Sequence, residues 1–190
     1  MFIDYLTLML VNMAAGLIVL AFFLWRGLGS PGEKSWAAGF AVAGLVALLA
    51  GLHMTFAWPI TRAGDHNLTW ANPTYGEPSV LLGAAFLGAA LAVARGWSLV
   101  PVAIYGLVAG LVGVFLGIRI LTLGLSAAPL LTGIGFIVTG LGGPLVLAVV
   151  LATGQRWLRA LAAVVLVSVA GLWLLTAAMG YWGHLAMLSQ

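Results

Sequence analysis

Six long apolar runs, separated by turns and one longer loop that hold most of the charge, constrain this chain more than any motif within it. They cover about residues 4–25, 36–60, 79–95, 100–121, 129–152 and 160–181. A run of about 20 apolar residues is long enough to cross the hydrocarbon core of a bilayer as a helix. Such a segment must satisfy its own backbone, and within a single run only a helix does so. A chain with 64% hydrophobic and 6% charged residues is not a soluble domain. The expected fold is therefore an all-α integral membrane protein, a six-transmembrane helix bundle occupying residues 1–190 as one domain. Any site must be built from the bundle and its loops.

The few charges set the expected orientation. The turns after runs one, three and five hold Arg26, Lys34, Arg95, Arg156 and Arg159, whereas the other side has only Arg62 and Arg119. The positive-inside rule then places both termini outside the cell. The first run opens with Asp4, lacks a basic leading region and stays apolar for too long to read as a cleaved signal peptide. A net charge of +3 arises from too few groups to suggest nucleic acid as a partner; the partner expected is the lipid bilayer. The absence of cysteine excludes disulfides, thiolate metal sites, cysteine-ligated iron–sulfur clusters and covalently attached c-type haem.

With this topology the polar groups gather on the outer side. Asp4, His53, Arg62, Asp65, His66, Glu77, Arg119 and His184 all fall there, with Trp58, Trp70, Tyr75, Tyr181 and Trp182 as an aromatic belt. The one long polar loop, Thr61 to Pro78, is longer than helix connections usually are without a function. Within the bundle, Gly106, Gly110, Gly113 and Gly117 repeat at helical spacing and predict close contact with another helix. Arg119 lies about 200° round the helix from Gly117 and should point away from that contact. Gly140, Gly142, Gly143 and Pro144 predict a kink or backbone contact within the fifth run. Asn12 is adequately explained by an interhelical hydrogen bond.

Four short segments carry a family resemblance: Gly51-Leu52-His53-Met54, Gly76-Glu77-Pro78-Ser79, Gly117-Ile118-Arg119-Ile120, and Gly133-Ile134-Gly135-Phe136 running on to Thr139-Gly140-Leu141-Gly142-Gly143. Together with the opening Met1-Phe2-Ile3-Asp4-Tyr5-Leu6-Thr7, they resemble an uncharacterised family of prokaryotic multi-spanning membrane proteins known only as a domain of unknown function. The resemblance spans nearly the whole chain. It implies a compact multi-pass bundle in the plasma membrane of a prokaryote and brings no activity with it.

His53 is the residue hardest to reconcile with an apolar helix, because a polar ring there needs a hydrogen-bond partner or a ligand. One reading is a structural hydrogen bond to a neighbouring helix; the other is ligation, since neutral imidazole is a common ligand of haem and of metals. In the second reading His53 and His184 hold a b-type haem near the outer face, and Arg119 meets its propionates through bidentate hydrogen bonds. A different metal would use His53, His184 and Glu77. Glu77 otherwise caps the third span, and Arg119 otherwise snorkels to the headgroups or pairs with Asp4 or Glu77. The functions in view are electron transfer or ligand sensing with a bound cofactor, a non-catalytic accessory subunit of a larger complex or a homodimer, and a small-solute or ion carrier. The cytoplasmic halves of the spans have too few polar groups to favour the carrier. No HExxH, GxSxG or phosphate-binding loop motif is present to indicate an enzyme.

Overall fold

The structure, a computed structural model, describes residues 5–63 and 66–188, with the side chains of Tyr5, Ala63, His66 and 184–188 left aside. Among the described residues, six helices are long and apolar enough to cross a membrane. They are α1 (Tyr5–Phe22), α2 (Ala37–Ala57), α3 (Ala71–Arg95), α4 (Val100–Leu123), α5 (Pro129–Leu151) and α6 (Arg156–Leu188). Each packs against its neighbours in sequence, and α6 returns to pack on α1, closing a ring. The tightest pairs are α4 with α5, α2 with α3, and α1 with α6.

Glycine makes the first two pairs tight. A Cβ added at Gly117 would stand 2.6 Å from the Gly133 carbonyl oxygen, and one at Gly143 would stand 2.6 Å from the Gly106 oxygen. Gly110 and Gly140 face each other in the same way. In the α2/α3 pair, a Cβ at Gly51 would come within 2.7 Å of the Val80 nitrogen, and at Gly83 within 2.5 Å of the Leu48 nitrogen. Both hairpins are therefore backbone against backbone, the arrangement that small residues permit between membrane helices. The glycine stripe of α4 meets α5, and Arg119 is exposed away from it, as the helical angle predicts.

The α1/α6 pair is joined differently. After Phe22 the helix widens into a π-turn, Phe23–Gly27, in which the Leu28 amide donates to the Phe23 carbonyl at 2.7 Å. The Leu24 carbonyl is taken by Arg159 Nε at 2.7 Å, and the Leu28 carbonyl by Arg159 Nη2. A guanidinium thus completes the end of α1, where unpaired carbonyls make a cation favourable. Asn12 of α1 donates to the Ala43 carbonyl of α2 at 2.9 Å, the interhelical bond expected of it.

The sequence misplaces the start of the third helix. α3 begins at Ala71, eight residues before Ser79, so the long polar loop shrinks to a short connection with a small hairpin pairing Arg62–Ala63 with His66–Asn67. Pro73 falls in the first turn, where a missing amide costs little, and Pro78 lies inside the helix. The start is held by Asn72, which is 0% exposed. Its Nδ2 donates to Ile60 O at 2.6 Å and Thr69 O at 3.1 Å, while its Oδ1 accepts from the Ile60 amide at 3.1 Å.

Adding a side chain at the glycine contacts should separate the hairpins. Gly83→Leu is expected to lower stability in a detergent-unfolding titration by about 1–3 kcal/mol, the usual cost of overpacking. Gly171→Ala, whose Cβ would meet nothing within 4 Å, should leave the midpoint unchanged or raise it.

Candidate functional site

The ring encloses a partly open cavity of about 180 Å³ lined from all six helices. Helical spacing explains its shape. The face of α3 from Tyr75 through Ser79, Leu82 and Ala85 to Ala89 looks onto the face of α4 from Leu99 through Val102, Gly106 and Gly110 to Gly113. α5 adds the strip from Phe136 to Val150. Each strip spans about 14 residues, or about 21 Å of helix. Small residues on both sides of the α3/α4 seam leave a long, narrow void that the two glycine-locked hairpins cannot close.

Aromatic groups line both ends. Phe23, Phe40 and Phe86 sit at one, with ring centroids 5.1 Å apart for Phe23 and Phe40 and 5.8 Å for Phe40 and Phe86. At the other, Tyr75 meets Phe136 at 5.3 Å, and Phe136 meets Trp173 edge-on at 5.6 Å. Trp173, 1% exposed, donates its indole N–H to Thr139 Oγ1 at 2.8 Å, and Thr139 donates to the Gly135 carbonyl at 2.6 Å. That relay satisfies a buried indole whose N–H needs a partner. Among the described residues no Asp, Glu, Lys, Arg or His lines the cavity.

Of the residues singled out from the sequence, His53, Glu77 and Arg119 are exposed on three different helices. His53 is exposed on α2, while the adjacent Met54 is 0% exposed and packs inward. Arg119 is exposed at the far end of α4, with a long 3.5 Å contact to Thr122 Oγ1. Glu77 is exposed in the second turn of α3, so it does not cap the start of that helix, and it forms no ion pair with Arg119. His184 lies on α6 with its side chain outside the described residues, as are the side chain of His66 and the whole of Asp4 and Asp65. Helix α2 is separated from α4 by α3 and from α6 by α1. Among the described residues no three histidines or carboxylates cluster as a metal site. A haem ligated by His53 would sit on the outer surface of α2 and not in the bundle. Within the aromatic belt, Trp58 and Trp182 are exposed, but Tyr75 turns inward to the cavity.

Sequence reasoning did not single out Asn72 or Trp173, and it met Thr139 only within a glycine-rich family segment, with no role assigned. Asn72-Pro73 could have signalled a helix start, since Asn and an early proline both favour one. Trp173 and Thr139 give no such signal, because their pairing depends on how α5 and α6 meet. Asn72→Asp tests the junction. The variant keeps the acceptor for the Ile60 amide but loses the donor to two carbonyls, and it should cost about 1–3 kcal/mol. Hydrogen exchange should show amides near Ile60 losing protection first.

No curated protein and no solved structure matches the chain. One family model matches residues 1–187, described as "Protein of unknown function (DUF981)". The match runs through all six helices and the cavity they enclose, and the chain belongs to that family.

Proposed function

We propose that the protein is a multi-pass component of a prokaryotic plasma membrane, with both termini extracytoplasmic, and that it binds a lipid-soluble molecule in its central cavity. The single observation that carries the binding role is the cavity whose lining, among the described residues, holds no charged side chain. A cavity of 150 Å³ with apolar walls stays dry and takes up apolar ligands, and about 180 Å³ offers comparable space. A carrier of ions or polar solutes would need polar groups along such a path, and this lining has few. The half-buried residues along the α3/α4 seam, Leu82, Ala85, Val102 and Ala109, suit entry from the lipid phase.

Filling the cavity tests this reading. A Cβ at Gly106 would meet nothing within 4 Å, and Leu is a better helix former than Gly, so Gly106→Leu should fold. Lipid extraction and mass spectrometry of purified protein should then show a co-purifying species at least tenfold depleted in the variant. Identical profiles would remove the binding role. Orientation can be read from single cysteines, because the chain has none of its own. Asn67→Cys should react with an impermeant maleimide in intact cells, and Ser35→Cys only after lysis.

A further inference from the structure

The two aromatic-end hydroxyls of the cavity specify a ligand class, an inference that rests on the binding role proposed above. Most polar side chains in the bundle are committed. Asn12, Thr74, Thr176 and Thr139 donate to carbonyls, and Trp173 donates to Thr139. Tyr75 and Ser79 are different. Both line the cavity, and neither hydroxyl has a hydrogen-bond partner among the described residues. Among the described residues no buried polar side-chain atom lacks a partner, so both oxygens border open space. They stand at i and i+4 on α3, one turn apart on the same face.

We infer that the cavity takes a single-chain, uncharged lipid with a hydroxyl or carbonyl head, placed so that the head meets Tyr75 and Ser79. Three properties of the site lead to this class. The lining strips run about 21 Å along their helices beside a void of only about 180 Å³, which suits one chain better than a fused ring system or a two-chain lipid. With no cation among the described residues of the lining, a carboxylate or phosphate head would be buried without a counter-charge, at a cost far above that of a neutral head. Two free hydroxyls at one end can both donate and accept, which suits an alcohol or carbonyl oxygen. The chain then runs along Leu82, Ala85 and Ala89 towards Phe86 and Phe40, where the lining is apolar.

Photo-crosslinking with the full-length protein in lipid nanodiscs separates this head-group assignment from the binding role beneath it. The probes are diazirine-bearing hexadecan-1-ol, its hexadecane counterpart and its hexadecanoate counterpart, with labelled peptides mapped by mass spectrometry. The alcohol should label α3, α4 and α5 at cavity positions at least fivefold more than the alkane or the carboxylate. Tyr75→Phe combined with Ser79→Ala should remove that advantage and leave alkane labelling unchanged. Two results would overturn the head-group assignment while leaving the binding role standing: equal alcohol and alkane labelling of the wild-type cavity, or labelling by the carboxylate as strong as by the alcohol. Absence of cavity labelling by every probe, with label only on outward-facing residues, would overturn both.

Discussion

Direct contact between helix backbones is the constraint from which the rest of this structure follows. Between apolar helices in hydrocarbon there is little hydrophobic gain from association, so van der Waals contact at short range has to supply it. Glycines at 44, 51, 76 and 83 bring α2 onto α3, and those at 110, 117, 133, 140 and 143 bring α4 onto α5. Each hairpin becomes a rigid unit because a shift of either helix would drive backbone atoms into one another. The seam between the units has no such interlock; a Cβ at Gly88 would only touch the Val102 side chain, at 3.4 Å. The cavity lies along this looser seam.

Polar groups in the bundle follow a second rule set by the scarcity of charge. Asn12, Asn72 and Arg159 spend their donors on main-chain carbonyls of another segment, and Trp173 reaches a carbonyl through Thr139. Each bond ties two segments while removing an exposed carbonyl or a buried donor, so packing and polar satisfaction are achieved together. Arg159 shows the economy of the arrangement. The residue belongs by position to a basic turn that orients the chain, yet its guanidinium also completes the widened end of α1.

Features set by local pattern were legible in the sequence, and features set by the meeting of helices were not. Six helices follow from hydropathy and length, and the contact face of α4 follows from glycine spacing, which also gives Arg119 its outward direction. The α3 start was missed because Thr61 to Pro78 is polar throughout, while the helix is specified by Asn72 reaching back twelve residues to Ile60. An aromatic at a span end has the character of an interfacial belt in sequence, as Tyr75 does; only its inward direction on α3 brings its ring against Phe136 of α5. For His53, composition identifies an anomalous imidazole but not its direction. Met54 takes the inward position, and the neighbouring residue is left facing out. The cavity itself is invisible in one dimension, because it is made of small residues that also read as ordinary helix-contact positions.

Those small residues bear on whether the void is an accident of packing. On the scale measured for cavities in soluble cores, an empty space of about 180 Å³ costs on the order of 4 kcal/mol. Leu or Val in place of Ala85, Ala89, Ala103 or Ala109 would supply the missing volume without altering any glycine contact, and such residues are abundant elsewhere in the same helices. The hairpins are already rigid, so collapse cannot remove the space, and the chain does not fill it with its own side chains. A lipid chain lying in the seam would restore the lost dispersion contacts along its length. Occupancy would therefore stabilise the same ring that creates the site, and retention of the occupant through purification is the property by which such a site would make itself known.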